Sequence, residues 1–210
     1  MRRIFNFFKI ASLVIFLGLV GLLFVFILQG RSEYQKAWSN SNVSSVPSSP
    51  QFELVAKNAI DFKTTKNILI QLSVANLVKN GDVESRPSAV KQSQILLAPY
   101  IYLFADGEES YMRIFHYGYF GATNNIGDPL FGVESMSQQL WGIKPQALTV
   151  AQSALLVAMS WSPSYFNPYK HPDRVIEKRN KILQMLVEKD IITSEASQLA
   201  RNEPLGLVKK

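Results

Sequence analysis

The strongest pattern along the chain is a run with almost no polar positions. Ile10 to Leu28 reads IASLVIFLGLVGLLFVFIL, in which Ser12 is the single polar side chain. As a helix this run is long enough to cross a hydrocarbon layer about 30 Å thick. Arg2, Arg3 and Lys9 precede it, and Arg31, Glu33 and Lys36 follow. That bias predicts an N-terminus in the cytoplasm (1–9), a span (10–28), and the remainder outside. A cleaved export signal fits less well, because the run exceeds a usual signal core and LQGRSEY offers no small-x-small cleavage site. From Trp38 to Pro50 the sequence WSNSNVSSVPSSP is too polar to order itself, so 29–50 reads as a flexible tether and 51–210 as one domain.

Within that domain the apolar spacing predicts helices over Leu54 to Ala59, Asn67 to Val78, Ser88 to Phe104 with a break at Pro99, Glu108 to His116, and Glu134 to Trp141. No strand alternation stands out. Thr149 and Gln152 have capping-box spacing ahead of the apolar ALLVAM, which predicts a buried helix to about Met159. Pro163 ends it, Asn167-Pro168 marks a loop, and a long helix starts near Pro172. In that helix Val175, Arg179, Ile182 and Leu186 share a face. Arg179 is therefore inward, either with its stem packed and its head at the rim or as a guanidinium held ready for phosphate or carboxylate. The apolar ILLAPYIYLFA from Ile95 to Ala105 is too short to span, and reads as core or as a segment dipping into a membrane surface.

Composition narrows the function classes. The chain has 210 residues and no cysteine, which excludes disulfides, zinc ribbons and thiol catalysis. Setting aside Arg2, Arg3 and Lys9 leaves 19 of the 22 basic residues against 16 acids, a weak positive charge outside the membrane. The cations are scattered without interleaved aromatics, which argues against a nucleic-acid partner. Ser88-Ala-Val-Lys91 matches S-x-x-K of serine acyl transferases but lacks the companion motifs, so chance explains it. His116 and His171 have no metal-ligand spacing and read as core or surface fillers. The aromatics around 161–169 suit either a sugar-stacking wall or a loop closed onto the core.

A series of motifs in one order adds a family. It comprises Phe120-Gly121, Gly132-Val-Glu134, Trp141-Gly142, L-T-x-A-x-x-A-L-L at Leu148 to Leu156, S-P-S-x-x-N-P at Ser162 to Pro168, and K-R-N-x-I-L-x-M at Lys178 to Met185. This stretch resembles the C-terminal half of the peptidoglycan glycosyltransferases (glycosyltransferase family 51), the monofunctional transglycosylases and the polymerising domain of class A penicillin-binding proteins. The resemblance implies a mainly α, lysozyme-like glycosyltransferase domain behind one N-terminal transmembrane helix. It also implies residence at the bacterial cytoplasmic membrane with a periplasmic domain, and lipid II or nascent glycan as the ligand.

The family's reaction uses two carboxylates. A base in E-D-x-x-F-x-x-H-x-G activates the attacking hydroxyl, and the glutamate of R-K-x-x-E supports the departing pyrophosphate, usually with a divalent metal. Here Ile60 and Asp61 stand at the Glu-Asp position, and Val90, Lys91 and Gln94 at the Arg, Lys and Glu of the second motif. Both glutamates are thus replaced, no catalytic residue is assigned, and Asp61 and Glu134 are the fallback carboxylates, with Glu53 behind them. The expected binding residues are Lys91, Gln94, Gly121, Gly132, Glu134 and Arg179. No metal site is expected, and Mg²⁺ or Mn²⁺ enters only if activity survives. The leading expectation is a catalytically defective member that binds lipid II, glycan or a cell-wall synthase. The alternatives are an active transglycosylase with displaced carboxylates, and a scaffolding membrane protein.

Overall fold

The structure is a computed structural model and describes residues 2–39, 49–59, 87–104, 112, 114–116, 118–122 and 129–209. The described part is mostly helical. Helix α1 (Arg2–Ser39) contains the apolar run, and Lys9–Gln35 is long and apolar enough to cross a membrane. It does not stop at Leu28. Gln29 to Ser39 holds no proline, and the helix continues one face against α3 (Pro87–Phe104). The first part of the expected tether is therefore helical, while its Ser/Asn-rich centre, 40–48, lies outside the described residues. The approach of the two helices is close at Gly30, where a Cβ would stand 2.5 Å from the Leu96 carbonyl oxygen and 2.9 Å from Tyr100 Cβ.

Helix α3 also departs from expectation, because it runs through Pro99 without ending. An interior proline costs about 3 kcal/mol. Packing offsets this: Leu97 and Ile101 are fully buried, and Tyr100 meets Tyr34 of α1 with ring centroids 5.3 Å apart. Ile95, Tyr102, Leu103 and Phe104 are exposed, so the segment is core on one side and an apolar surface on the other.

The domain core forms around α5 (Val150–Trp161), nine of whose side chains are buried. The capping box is present in full: Gln152 N–H donates to Thr149 Oγ1 (3.1 Å), and Thr149 N–H to Gln152 Oε1 (3.0 Å). Helix α2 (Pro50–Ala59) lays Phe52, Val55, Ala56 and Ala59 against it, and Ser49 Oγ accepts from Phe52 N–H at the helix start (3.2 Å). Helix α6 (Pro172–Glu188) adds Val175, Ile182, Leu183 and Leu186. Three elements are absent from the sequence expectation. Strands β1 (Tyr119–Ala122) and β2 (Pro129–Phe131) pair antiparallel, and α7 (Ser194–Asn202), capped by Thr193, closes over α5 and α6. The strands are too short to show alternation. The expected helix over Asn67 to Val78 lies outside the described residues.

Candidate functional site

The β1–β2 hairpin leads directly into α4 (Gly132–Trp141). The junction is made by glycine: Gly132 is buried at φ 77°, a conformation in which a Cβ is strained, and its N–H donates to the Gly118 carbonyl (2.9 Å). Gly121 sits on β1, and Glu134 is exposed in the first turn of α4. The fold thus places Gly121 on the hairpin and Gly132 and Glu134 at its junction with α4.

A second group lies where α2 meets the helical residues 114–116. Phe52 and Phe115 pack edge to face with centroids 5.1 Å apart, and the charge of Glu53, beside Phe52, reaches His116. Burial pushes the His116 imidazole below its ordinary value of 6.5, and the Glu53 charge partly opposes that. The folded state then holds this proton less tightly than the unfolded chain, so stability is highest above about pH 6.5 and falls as pH drops below it. The unfolding midpoint of the full chain in detergent should fall between about pH 7.5 and 5.5, with a shallower slope in His116→Gln. An unchanged slope would show that another group sets the dependence. Sequence reasoning had set His116 aside, and nothing in a 63-residue separation signals the pairing.

Lys91 and Gln94 lie one turn apart on α3, and Gln94 is half-buried. Ile60 and Asp61 lie outside the described residues. A divalent metal would need converging carboxylates, yet the second motif's acidic position is the neutral Gln94, and no three His, Asp or Glu side chains converge among the described residues. The described residues do not fit such an ion.

Arg179 is inward as expected, at 3% exposure, but its head faces neither solvent nor the hairpin. Nη1 donates to the Glu203 carbonyl (2.9 Å), Nη2 to the Arg201 carbonyl (2.8 Å) and Nε to Asn180 Oδ1 (3.2 Å). Those carbonyls are the orphan acceptors at the C-terminal end of α7, so the guanidinium caps that helix. In this structure its donors serve the end of α7, and a ligand-binding role is what the Arg179 variants test. The partner was missed because α7 itself was.

Residues 108–187 match the family model described as Transglycosylase. Over this segment the chain is similar to the transglycosylase family. It is 34% identical over 85 residues to penicillin-binding protein 1A of Aquifex aeolicus (strain VF5), covering 40% of this chain and 12% of that protein. It is 34% identical over 102 residues to penicillin-binding protein 1B of Haemophilus influenzae (strain ATCC 51907 / DSM 11121 / KW20 / Rd), covering 49% and 12% respectively. A crystal structure of penicillin-binding protein 1A from Haemophilus influenzae aligns over 80% of this chain and 18% of that one, at 16% identity and a TM-score of 0.48. The chain therefore spans about an eighth of the length of these curated relatives.

The geometry shows what the motif residues do in the segment that matches the transglycosylase model. Gly142 ends α4 in the left-handed conformation (φ 68°), its N–H donating to the Gln138 carbonyl, while Trp141 Nε1 donates to the Leu205 carbonyl (2.7 Å). Thr149 caps α5. Asn167 Oδ1 accepts from Tyr169 N–H (3.0 Å) and Lys170 N–H (3.2 Å), which fixes the turn before α6. With Arg179, these positions hold helix ends and turns.

Proposed function

We propose that this chain is a membrane-anchored, catalytically defective relative of the peptidoglycan glycosyltransferases that binds lipid II, nascent glycan or a cell-wall synthase rather than polymerising glycan. In this reading α1 crosses the cytoplasmic membrane with its N-terminus inside, and a lysozyme-like domain over 51–210 stands on the periplasmic side. Binding runs through Lys91, Gln94 and the junction of Gly121, Gly132 and Glu134. The observation that carries it is the division of the motifs: those that hold the family scaffold are in place and bonded, whereas the two catalytic glutamate positions hold Ile60 and Gln94. A glutamine keeps hydrogen bonding but takes up no proton, and loss of one general base typically costs a factor of about 10² to 10⁴.

Incubating the full chain in detergent with labelled lipid II and Mg²⁺ or Mn²⁺, beside a competent transglycosylase, tests this. The expected result is lipid II binding without polymer. Neither binding to lipid II nor capture of a synthase would end the reading. The Glu53 charge acting on the buried His116 favours one alternative, an active enzyme with displaced proton-handling groups. It predicts polymer that disappears in Glu53→Gln and in His116→Gln.

A further inference from the structure

The end of α5, the loop after it and the outer face of α6 build a feature that none of the family motifs explains by its scaffold role. Trp161 closes α5 and is 41% exposed, and Tyr165 in the following loop is 52% exposed. Each ring carries a cation from α6: Lys178 Nζ lies 3.8 Å from the Trp161 ring centroid, and Arg174 Cζ 4.5 Å from that of Tyr165. Arg174 and Lys178 are one turn apart, and Lys181 continues the same helix face. Among the described residues neither Arg174 nor Lys178 has a carboxylate within ion-pair distance, whereas Lys181 is paired with Glu177 at 2.6 Å.

Closing the loop does not require this arrangement. Phe166 does that: it packs against the core and meets Tyr165 edge to face at 4.9 Å. Trp161 and Tyr165 instead keep large apolar areas in water, and burial with the nearby Lys181 charge pushes the Lys178 ammonium below its ordinary value. Rings presented beside cations that lack acidic partners suit a ligand with flat C–H faces and carboxylates.

We propose that Trp161, Tyr165, Arg174 and Lys178 form a shelf that binds a carboxylate-bearing glycan strand, with pyranose faces on the two rings and carboxylates on the two cations. This rests on the binding reading above but places a contact on elements that carry neither of the catalytic glutamate positions.

The test uses the full chain in nanodiscs of neutral lipid, with soluble uncrosslinked peptidoglycan strands bearing stem-peptide carboxylates as probe and uncharged chitohexaose as comparison. The wild type should bind the strands more tightly than chitohexaose. Trp161→Ala and Lys178→Gln should each weaken strand binding about tenfold or more, Lys178→Gln should flatten its salt dependence, and Trp161→Phe should stay within about threefold of wild type. Strand affinities equal across these variants overturn the shelf, as does Trp161→Phe failing as fully as Trp161→Ala. Quenching of Trp161 by brominated anionic lipid, taken as wild type minus Trp161→Phe, also overturns it, since the shelf would then lie on lipid. Lipid II binding with strand affinities unmoved by the variants removes the shelf and leaves the binding reading standing. A wild type that binds neither ligand removes the shelf, and failure to capture a synthase as well removes the binding reading.

Discussion

Replacing Phe115 by alanine should cost about 3–5 kcal/mol of folding stability, a large share of what a domain of this size possesses. Phe115 is fully buried, meets Phe52 of α2 edge to face at 5.1 Å, and lies 6.5 Å from Phe120 at the start of the hairpin. It therefore joins three segments that are distant in sequence: α2, the helical residues 114–116 and β1. Truncation removes the transfer energy of the ring and leaves a cavity between elements that are already pinned to α5. The measurement is the denaturant midpoint of the full chain in detergent, followed by tryptophan fluorescence. Phe115→Leu, which fills most of the space, should recover a large part of the loss. A shift below about 1 kcal/mol for the alanine variant would mean the aromatic cluster does not hold the domain together.

Arg179→Met should cost about 3 kcal/mol and leave lipid II affinity unchanged in the fraction that folds. Methionine keeps much of the packed stem but supplies no donors, so the Arg201 and Glu203 carbonyls lose the partners that end α7. Arg179→Lys should recover part of the loss, because an ammonium can reach one carbonyl but lacks the fork that holds both. The opposite pattern, an unmoved midpoint with lipid II affinity reduced tenfold or more, would return Arg179 to the binding site and overturn the capping assignment. This pair of readouts separates a scaffold residue from a ligand-binding one more sharply than activity alone.

The division between scaffold and chemistry follows from these contacts. A helix cap, a left-handed stop and an Asx turn each have strict local requirements, so Thr149, Gly142 and Asn167 are legible as short motifs and anchor the resemblance to the transglycosylase family. Catalytic carboxylates have no local structural duty. In the proposed reading, Ile60 and Gln94 stand in their place while the helix ends stay intact, which is how a family likeness outlasts its chemistry.

By itself the sequence determined the apolar span, the capping box and buried face of α5, the start of α6 at Pro172 and the inward side of Arg179. Each depends on neighbours within about two helical turns, where periodicity and capping act. Tertiary structure decided what lies across the chain. Packing against α1 and the core carries α3 through Pro99, and the same contact keeps α1 helical to Ser39 where composition implied a tether. The partner of Arg179 is a pair of carbonyls more than twenty positions away, and the Glu53 charge reaches His116 where Phe52 meets Phe115. Lys178 and Arg174 find their rings across the turn that Asn167 fixes. Local rules specify which face of a helix is apolar; which groups face each other across the fold depends on how those faces are assembled.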